Sequence, residues 1–570
     1  MPPNSLSPIS LSDLFSSFPF PYKGLSGVDC QVTAITADSR QVQSGALFVA
    51  CTGGLVDGHK YIQDAIAKGA AVVVGEQALA GLAVPYIQVE NSRQSLAHLA
   101  AAFYGYPARK LTMIGVTGTD GKTTTTNLLY QILLMAGVKA GMISTVNAVI
   151  GDQVLDTGFH VTTPDAPDVQ RYLSMMVDAG LTHVVLETTS HGWAQHRVDA
   201  CEFDIGVVTN ITHEHLDYHG SYEAYRAAKS RLFQSLAETQ VKPQGNPRLA
   251  VLNRDDSSYK YLSSVIQSAF SLQPSAISYG LGEGADVRAE NIIYDASGLQ
   301  FTVKNDKLRV AINSKLIGAF NISNCLAALT SAVAGLGLDP ETAARGIAVF
   351  PGVPGRMERI ELGQPFTAIV DFAHTPNALR VALETVRGML EISPRSGKAR
   401  KEKNKSSRPP APVLWGTLLR GEKKGRIIAI FGSAGLRDRE KRRMMAEVST
   451  ELADITVLTA EDPRSESLEG ILEEMAAGAR RRPEPVEGSR GGVEGKTFFR
   501  VPDRGEAIRL GVRLAREGDI IIACGKGPEQ SMCFGTTEYP WDDRVAMRAA
   551  LSELMGVEGP GMPYLPTRGK

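Results

Sequence analysis

Short apolar runs recur along the chain, and most end at a glycine, a hydroxyl side chain or a charged side chain. Examples are "LTMIG" (111–115), "HVVLE" (183–187) and "DIGVV" (204–208). Runs of this length predict strands that are buried on both faces of a parallel sheet. After the first of these runs and a glycine-rich turn, the apolar residues Leu128, Leu129, Ile132 and Leu133 have helical spacing, which predicts a helix that ends near Gly137. The alternation predicts an α/β fold.

Three blocks of such patterns follow one another. Residues 1–108 hold "GALFVAC" and "AAVVVGE", residues 109–352 hold the runs above, and residues 353–570 hold "FTAIVDFAH", "RIIAIFGSAG", "DITVLTAED" and "DIIIACGKG". We therefore predict three α/β domains with these boundaries, the second with a mostly parallel sheet and the third Rossmann-like. Chemistry is expected at the carboxyl ends of the strands, where open α/β sheets bind ligands.

Two segments of the third block lack these patterns. Residues 397–425 are basic and rich in proline and serine, and residues 480–495 are rich in proline, glycine and glutamate. Both compositions predict surface insertions without fixed structure. A basic tail with a function of its own is the alternative for the first segment.

The composition is that of a globular protein, with 43% hydrophobic and 21% charged residues among 570. The 60 basic and 61 acidic residues give a net charge of -1, which does not favour binding to nucleic acid or to an anionic membrane. We find no signal peptide and no stretch of about 20 apolar residues, so we expect no membrane insertion. The six scattered cysteines lack a CxxC pair, which favours a reducing cytoplasm and argues against a zinc site.

The segment "GVTGTDGKTTTTNLL" (115–129) carries the strongest chemical signal. It places a glycine-rich turn between a strand and a helix, where backbone N–H groups bind phosphate. Lys122 would reach the terminal phosphates of a nucleotide, and the Thr123 hydroxyl would ligate Mg²⁺. Gly115 is one residue too far from Gly121 for the usual GxxxxGK[ST] spacing, so this is a variant P-loop. The alternative is a glycine-rich turn without a ligand.

A carboxylate and several histidines end the neighbouring runs. Glu187 ends "HVVLE", and "TNITHEHLDYHG" (209–220) follows "DIGVV". At a shared sheet edge, a carboxylate and an imidazole could hold Mg²⁺ ions that bridge ATP and substrate. Because Mg²⁺ prefers oxygen ligands, a structural role is the better interpretation of His213, His215 and His219 unless a family pattern singles one out.

Together these motifs resemble those of the Mur ligases, ATP-dependent enzymes that form amide bonds in peptidoglycan synthesis. The matching segments stand in the family's order and span most of the chain: "TGTDGKTTT" (117–125), "ETTSH" (187–191), "TNITHEHLDYHG", "AAKSRLF" (227–233), "GAFNISNCLAAL" (318–329), "PGRMERI" (354–360) and "VDFAHTPNAL" (370–379). The resemblance implies a cytoplasmic ligase that serves cell-wall biogenesis, cell shape and cell division. We expect a monomer.

The resemblance also assigns the ATP and metal sites residue by residue. ATP binding is implied for Gly118, Thr119, Asp120, Gly121, Lys122, Thr123, Thr124, Asn321, Asn324, Arg356 and Asp371. Catalysis is implied for Lys122, Glu187, His215 and Lys229, and Mg²⁺ ligation for Thr123, Glu187, His215 and Lys229. An ordinary lysine would be repelled by Mg²⁺, but the family's lysine is carbamylated and so becomes an anionic oxygen ligand. We therefore expect N6-carboxylysine at Lys229.

The details resemble the branch that adds the third peptide residue to UDP-N-acetylmuramoyl-L-alanyl-D-glutamate. "TADSR" (36–40) and "LFVACTGGLVDGHKYI" (47–62) resemble its uridine-binding domain, "HVTTPDA" (160–166) its threonine loop and "SHGWAQHR" (190–197) its substrate motif. The contacting positions are Ala37, Ser39, Gly54, Leu55, Val56, Thr162, Thr163, Ser190, Gln195 and Arg197. An arginine at position 197 suits a substrate with carboxylates and a diphosphate.

The implied reaction has two steps. The D-glutamyl γ-carboxylate attacks the γ-phosphate of ATP and gives an acyl phosphate and ADP. The amine of the incoming amino acid then attacks the acyl carbon and releases phosphate. Lys122 and Mg²⁺ would neutralise charge during phosphoryl transfer, and alignment of the reactants would supply much of the acceleration.

The third domain should select the incoming amino acid. "AEDPRSES" (460–467) aligns with the Asp-Asn-Pro-Arg segment of members that add meso-diaminopimelate, whose second carboxylate an arginine can bind with two hydrogen bonds. The contacting positions are Arg437, Glu461, Asp462, Pro463, Arg464, Gly525 and Glu529. Because Glu461-Asp462 replaces Asp-Asn, and Pro528 stands where the family often has histidine, L-lysine and L-ornithine remain alternatives to diaminopimelate.

Two other functions are less favoured. A folylpolyglutamate synthetase shares the central and C-terminal architecture, but it lacks a domain before the phosphate loop, whereas this chain has one. A catalytically inactive scaffold is disfavoured because the five central residues are all present: Lys122, Thr123, Glu187, His215 and Lys229.

Overall fold

The computed structural model describes residues 7–25, 29–53, 57–155, 162–212, 216–269, 275–295, 298–392, 425–480 and 492–567. The chain divides into two compact units. The first comprises residues 1–292, 300–314 and 320–350, and the second comprises residues 293–299, 315–319 and 351–570. The division into three domains at 108 and 352 stays a prediction. Most of the predicted insertions, at 397–424 and 481–491, lie outside the described residues.

The amino-terminal part of the first unit has a five-stranded sheet of its own. Its elements are β1 (Ile9–Ser10), α1 (Leu11–Phe15), β2 (Tyr22–Lys23), β3 (Gln31–Val32), β4 (Ala34–Thr36), β5 (Ala46–Ala50), α2 (Ile62–Ala67), β6 (Val72–Gly75), β7 (Tyr86–Val89) and α3 (Ser92–Phe103). The strand order is β2-β7-β6-β5-β4, in which β4 to β7 are parallel and β2 is antiparallel to β7. Strand β5 is buried along its whole length, as its uninterrupted apolar sequence predicts.

The rest of the first unit is organised around an eleven-stranded sheet with the order β11-β10-β9-β12-β8-β13-β14-β15-β16-β17-β18. The elements are β8 (Thr112–Thr117), α4 (Lys122–Met135), β9 (Ala140–Ile143), β10 (Ala148–Ile150), β11 (Gln153–Leu155), α5 (Ala166–Asp178), β12 (His183–Glu187), α6 (Ser190–Ala194), β13 (Ile205–Val208), α7 (Leu216–His219), α8 (Tyr222–Glu238), β14 (Leu249–Asn253), α9 (Tyr259–Ala269), β15 (Ser275–Gly280), β16 (Val287–Asp295), β17 (Gly298–Lys304), β18 (Arg309–Ser314), α10 (Phe320–Thr330) and α11 (Pro340–Val349).

The middle of this sheet is parallel. Strands β9, β12, β8, β13, β14, β15 and β16 pair in parallel with their neighbours. The three apolar runs named above therefore form adjacent strands, with Glu187 opposite Val116 and Val207 opposite Val116 on the other side. The carboxyl ends of β12, β8 and β13 meet at one edge, which places the sequence motifs that follow them close together.

A buried ion pair fixes the opposite, amino-terminal edge of β8 and β13. The Lys242 ammonium lies 2.6 Å from a carboxylate oxygen of Asp204, and both side chains are almost completely buried. The same Asp204 oxygen accepts a hydrogen bond of 2.7 Å from the Met113 N–H. Lys242 also donates to the carbonyl oxygens of Leu111 and Glu202. The pair thus joins the starts of both strands.

The second unit contains a six-stranded sheet with the order β19-β20-β24-β21-β22-β23, parallel except for β19. Its elements are β19 (Glu358–Ile360), β20 (Thr367–Asp371), α12 (Pro376–Ile392), β21 (Ile427–Phe431), α13 (Glu440–Leu452), β22 (Ile455–Leu458), α14 (Leu468–Arg480), β23 (Phe498–Arg500), α15 (Arg504–Leu514), β24 (Ile520–Cys524), β25 (Ser531–Phe534), β26 (Thr537–Pro540) and α16 (Asp543–Met555). The α/β fold class with mostly parallel sheets is confirmed.

No helix in the described ranges combines the length and the apolar character that a membrane crossing needs.

Candidate active site

The phosphate loop connects β8 to α4, and a neighbouring loop holds it from one side. The Thr119 N–H donates to the Asn210 carbonyl oxygen (2.7 Å), and the Asp120 N–H donates to the Asn210 side-chain oxygen (2.9 Å). The Thr209 hydroxyl donates to the Asp120 carbonyl oxygen (2.6 Å). Because the loop after β13 carries these partners, the "TN" of "TNITHEHLDYHG" shapes the phosphate loop.

Two glycines of the loop have no room for a side chain. Gly118 has φ 151°, and a Cβ there would lie 1.9 Å from the Thr209 hydroxyl oxygen. Gly121 has φ 82°, and a Cβ there would lie 2.3 Å from the Asn324 side-chain oxygen. Glycine is needed at both positions because neighbouring elements approach closely and because the backbone has a positive φ, which glycine adopts readily.

The predicted asparagines of α10 lie beside the loop. Asn324 accepts a hydrogen bond from the Thr125 hydroxyl (3.3 Å) and donates to the Asn321 side chain (2.8 Å). Both asparagines are buried. Thr124, one position before Thr125, is half-buried on the first turn of α4. The sequence interval between these helices is large, and the fold brings them together at the nucleotide edge.

Lys122 begins α4 and its ammonium donates to the Thr119 carbonyl oxygen, at 2.8 Å. The side chain therefore folds back over the loop, and it is half-buried. A cation in this place stands next to the N-terminus of α4, where backbone N–H groups and the helix dipole already favour an anion. The arrangement suits binding of a terminal phosphate.

Glu187 lies at the carboxyl end of β12 and faces the start of α4. One carboxylate oxygen accepts a hydrogen bond from the Thr123 hydroxyl (3.0 Å), and the other accepts one from the Thr145 N–H (3.0 Å). The Glu187 side chain is 1% exposed. A buried carboxylate beside a hydroxyl offers the oxygen ligands that Mg²⁺ prefers.

Lys229 projects from α8 toward the same loop. It is 2% exposed, and its ammonium lies 2.5 Å from the Gly118 carbonyl oxygen and 4.7 Å from the centre of the Tyr225 ring. The Tyr225 hydroxyl in turn contacts the Thr119 hydroxyl (2.9 Å). The structure thus brings together Lys122, Thr123, Glu187 and Lys229 around one loop, although their sequence positions are far apart.

Only some of these residues can ligate a metal ion. Thr123 and Glu187 supply oxygen ligands, whereas an ordinary Lys229 ammonium supplies none. His215 lies outside the described residues. Among the described residues no group of three or more histidine, cysteine, aspartate or glutamate side chains is arranged to hold a metal. An Mg²⁺ site here therefore needs oxygen ligands beyond Thr123 and Glu187, for which phosphate oxygens or a carbamate on Lys229 would serve.

Most of the predicted acyl-substrate residues form a second group beside Glu187. Arg197 donates to the Thr163 carbonyl oxygen (2.6 Å) and to the Gln195 side-chain oxygen (2.8 Å). The buried Thr163 hydroxyl donates to the Glu187 carbonyl oxygen (3.2 Å). The Ser190 hydroxyl is buried without a partner among the described residues. Thr162, next to Thr163, is half-buried.

The predicted uridine residues belong to the amino-terminal sheet. Ala37 and Ser39 follow β4, both half-buried, and the Ser39 carbonyl oxygen accepts a hydrogen bond from Lys68 (2.9 Å). Gly54, Leu55 and Val56 lie outside the described residues. The structure therefore places two of these five positions, at the carboxyl end of a parallel strand.

Two predicted ATP residues are neighbours in the second unit. Asp371, at the end of β20, accepts hydrogen bonds from the N–H groups of Met357 (2.7 Å) and Ala373 (2.8 Å). Burial raises the pKa of the Asp371 carboxyl, and the nearby Arg356 opposes that shift. The Arg356 guanidinium packs over the Phe372 ring, 4.4 Å from its centre.

The predicted amino-acid residues are grouped at the carboxyl ends of β21, β22 and β24. The loop at Arg464 is held by its backbone, since the Arg464 N–H donates to the Cys533 carbonyl oxygen (3.1 Å) and its own carbonyl accepts from the Gly535 N–H (2.8 Å). The guanidinium groups of Arg464 and Arg437 form no hydrogen bond or ion pair with a described residue. Pro463, before Arg464, is buried.

The neighbouring arginines differ in this respect. Arg439 and Arg442 pair with Glu474, and Arg443 pairs with Glu447. Among the arginines described at positions 437 to 464, the two that the sequence assigns to the substrate are thus the ones with unengaged guanidinium groups. Such groups are ready to bind a carboxylate.

Lys526 is a residue of this group that the sequence interpretation missed. Its ammonium is completely buried and lies 3.1 Å from each Asp462 carboxylate oxygen and 2.5 Å from Glu529. The carboxylates of Asp462 and Glu529 thus share one cation. The only available sequence signal was the lysine between the two glycines of "CGKGPE", which by itself does not indicate a partner.

Glu461 is a buried member of this group. A Cβ at Gly525 would lie 2.3 Å from one Glu461 carboxylate oxygen, and that oxygen has no hydrogen-bond partner among the described residues. Burial raises the pKa of the Glu461 carboxyl, and the cations Lys441, Arg504 and Lys526 oppose the shift. Glu461, Asp462, Gly525 and Glu529 therefore lie together, as predicted contacts of one ligand should.

Three family models match the chain in succession. They are "Mur ligase family, catalytic domain" at residues 31–104, "Mur ligase middle domain" at residues 116–332 and "Mur ligase, glutamate ligase domain" at residues 416–527. The middle match includes the phosphate loop, Glu187 and Lys229. The last includes Glu461, Asp462 and Arg464.

Whole proteins match over nearly their full length. A UDP-N-acetylmuramyl-tripeptide synthetase of Roseiflexus sp. (strain RS-1) is 40% identical over 533 residues, which cover 92% of this chain and 96% of that protein. A UDP-N-acetylmuramoyl-L-alanyl-D-glutamate--2,6-diaminopimelate ligase of Geobacillus kaustophilus (strain HTA426) is 38% identical over 527 residues, with coverage of 92% and 96%.

Solved structures agree with the fold. A structure of a UDP-N-acetylmuramoyl-L-alanyl-D-glutamate--2,6-diaminopimelate ligase matches with a TM-score of 0.61 and 28% identity, and covers 92% of this chain and 96% of that one. A MurF ligase from Thermotoga maritima in complex with ADP matches with a TM-score of 0.53 and 19% identity, with coverage of 86% and 93%, which is a likeness of fold alone.

Proposed function

Because the chain belongs to the Mur ligase family, we propose that it is the ATP-dependent ligase that adds meso-diaminopimelate to UDP-N-acetylmuramoyl-L-alanyl-D-glutamate in peptidoglycan synthesis. Relatives that are 36–38% identical over more than nine-tenths of the chain bear the name of this reaction. The structural observation that carries the proposal is the grouping of Lys122, Thr123, Glu187 and Lys229 around one phosphate loop.

The activation step takes place at this loop. The D-glutamyl γ-carboxylate forms a bond to the γ-phosphorus of ATP while the bond to the bridging oxygen breaks and ADP leaves with the electron pair. The Lys122 ammonium, now 2.8 Å from the Thr119 carbonyl oxygen, swings to the phosphate oxygens and offsets their negative charge. Preorganised cations and N–H donors of this kind stabilise the transition state of phosphoryl transfer.

Thr123 and Glu187 would hold Mg²⁺, which neutralises phosphate charge when bound. Lys229 joins them as a ligand only if carbon dioxide adds to its neutral amine, which gives a carbamate and releases a proton. The burial of Lys229 next to the loop supports this assignment, since a buried carbamate is shielded from water. The Arg197 guanidinium, held by Gln195 and Thr163, would orient the substrate carboxylate.

The second step needs the amine of the incoming amino acid close to the acyl phosphate. Its attack on the acyl carbon breaks the bond to the phosphate oxygen, phosphate leaves, and the amine loses a proton. We assign recognition of the distal carboxylate of diaminopimelate to Arg464 and Arg437, whose guanidinium groups are unengaged by the described residues. Lys526 pairs with Asp462 and also with Glu529, so it offsets only part of the negative charge that the exchange of the family's asparagine for aspartate adds.

Phosphate release tests the proposal directly. The purified protein is given ATP, Mg²⁺ and UDP-N-acetylmuramoyl-L-alanyl-D-glutamate together with meso-diaminopimelate, L-lysine or L-ornithine. We expect release that requires all components and is fastest with diaminopimelate, and a product whose mass equals that of the two joined substrates. Turnover with lysine or ornithine alone would correct the choice of amino acid. No turnover with any of the three would overturn the proposal.

A further inference from the structure

Four polar side chains of the first unit form a cluster that the proposed chemistry does not use. We call Asn91, His196, Asp199 and Arg231 the bracing cluster. The His196 Nδ1 lies 2.6 Å from an Asp199 carboxylate oxygen, and its Nε2 lies 3.2 Å from the Asn91 side-chain nitrogen. Arg231 lies 3.0 Å from both oxygens of Asp199. The Asp199 side chain is 6% exposed.

The hydrogen-bond roles within the cluster are determined by its outer partners. The Asn91 side-chain oxygen accepts from the Gln94 N–H (3.0 Å) at the start of α3, so its amide nitrogen points to His196. The amide donates, and therefore the His196 Nε2 accepts and its Nδ1–H donates to Asp199. The imidazole thus bridges the Asn91 amide and the Asp199 carboxylate.

One side of the cluster supports the acyl site. His196 stands between Gln195 and Arg197, the two residues assigned to the acyl substrate, and has a left-handed backbone with φ 59°. Arg231 also donates to the Trp193 carbonyl oxygen in the same segment. Arg231 lies two residues after Lys229 on α8. The cluster thus ties the substrate segment to the helix that carries Lys229.

The other side leads to the amino-terminal sheet. Ser92, next to Asn91, donates to a Glu76 carboxylate oxygen through its N–H (2.9 Å) and its hydroxyl (2.7 Å). The second Glu76 oxygen accepts from the Thr52 hydroxyl (2.8 Å). Glu76 follows β6 and Thr52 follows β5, at the edge of the sheet to which the uridine end of the substrate is assigned. Hydrogen bonds, together with the peptide bond between Asn91 and Ser92, therefore link this edge to α8.

We propose that His196 is a positioning residue that sets the distance between the uridine-binding edge and the acyl-activating site, so that both ends of one long substrate bind at once. The inference rests on the proposed function. Its physical basis is that two linked groups bind cooperatively only when the spacing of their sites matches the linker. Within this path, the bond between Asn91 and His196 is the side-chain contact that joins the start of α3 to the acyl-substrate segment.

Two substitutions remove this one contact by different routes. Asn91→Ser keeps a side chain that caps α3 equally well but has no amide to reach His196. His196→Asn keeps a donor for Asp199 but loses the Nε2 acceptor. Asn91→Ala removes both the contact to His196 and the cap of α3, so its comparison with Asn91→Ser separates an effect on substrate binding from an effect on stability. His183→Ala is the control, because that histidine lies at the amino end of β12, at the opposite end of this strand from Glu187, and contacts Thr182.

Calorimetry then measures three dissociation constants for each protein: for the full substrate, for UDP, and for N-acetylmuramoyl-L-alanyl-D-glutamate without UDP. In Asn91→Ser and in His196→Asn we expect about three- to tenfold weaker binding of the full substrate, the size of one lost hydrogen bond. Binding of the two fragments should be unchanged.

The double variant should lose no more affinity for the full substrate than either single variant, because both substitutions remove the same contact. Asn91→Ala should match Asn91→Ser in binding but melt at a lower temperature.

Equal weakening of the full substrate and of a fragment would overturn the inference, since it would indicate a local structural effect. Additive losses in the double variant, or unchanged binding of the full substrate, would overturn it as well. Failure of the proposed function is distinguishable, because the wild-type protein would then not bind the full substrate more tightly than either fragment or turn it over.

Discussion

Replacing Arg464 with alanine removes the side chain that we assign to the distal carboxylate of diaminopimelate. The structure predicts that the loop survives this change. Its position is fixed by the backbone hydrogen bonds to Cys533 and Gly535, which alanine retains. The left-handed backbone, with φ 53°, strains arginine and alanine alike because both have a Cβ. We therefore expect a change in the free energy of unfolding within about 0.5 kcal/mol.

The expected effect on catalysis is large and selective. A hydrogen bond to a charged group contributes about 1.5–3 kcal/mol. Since Arg464 is only half-buried, we take about 2 kcal/mol, which corresponds to roughly a thirtyfold loss in kcat/KM for diaminopimelate. L-lysine has no carboxylate at that end, so its kcat/KM should be unchanged within about twofold.

The assay measures kcat/KM for both amino acids by phosphate release, in the wild type and in Arg464→Ala. Arg439→Ala is the control, because Arg439 lies near the same loop but is exposed and paired with Glu474. We expect the control to behave like the wild type with both amino acids. Equal losses for diaminopimelate and lysine in Arg464→Ala, or a wild-type preference for lysine, would refute the reasoning and leave the ligase assignment standing.

Four further predictions concern single side chains. Lys122→Ala should lower phosphate release by at least about a hundredfold with little change in melting temperature, and near-normal turnover would exclude its role at the phosphates. Lys229→Arg should be inactive because it cannot be carbamylated, and wild-type activity would exclude an anionic ligand at this position. Gly118→Ala should abolish ATP-dependent turnover because its Cβ would lie 1.9 Å from a threonine hydroxyl oxygen. The control Gly137→Ala, at a positive φ with nothing within 4 Å of the added Cβ, should stay active. Equal activities of the two variants would refute the steric argument. Burial raises the pKa of Glu461 above 4.5, so the folded state binds this proton more tightly than the unfolded state, and the contribution of this carboxyl to the free energy of unfolding should fall as pH rises above 4.5. Glu461→Gln should remove that part of the fall in urea titrations, and parallel curves for the two proteins would contradict it.

The sequence predicted well those features that depend on local pattern. The runs 111–115, 183–187 and 204–208 form adjacent parallel strands, because apolar runs bounded by polar turns have few alternatives to a buried sheet. Their carboxyl ends share an edge, so the grouping of Glu187 with the phosphate loop followed from topology. The family resemblance supplied Lys229, which lies on a helix whose periodicity alone does not distinguish a catalytic lysine from a solvated one.

The sequence did not predict contacts between distant side chains. Lys526 and Asp462 are separated by 64 positions, Asn91 and His196 by 105, and each pair meets through loops whose course no periodicity specifies. Such pairs depend on the register between strands and on backbone geometry of single residues, such as Asp462 with φ 40°. These are properties of the assembled fold rather than of any window of sequence.

The Asp204–Lys242 pair lies at the opposite end of the strands from the phosphate loop, so substitutions that affect stability and substitutions that affect catalysis fall at different places. It fixes the amino ends of β8 and β13, while Lys122 and Thr123 follow the carboxyl end of β8 and Glu187 ends β12. We therefore expect substitutions at this pair to change the melting temperature with little effect on turnover. Replacing both partners together with apolar side chains of similar volume should change the melting temperature and leave the reacting groups at the other edge in place. Removing only one partner would leave a buried charge without its counterion.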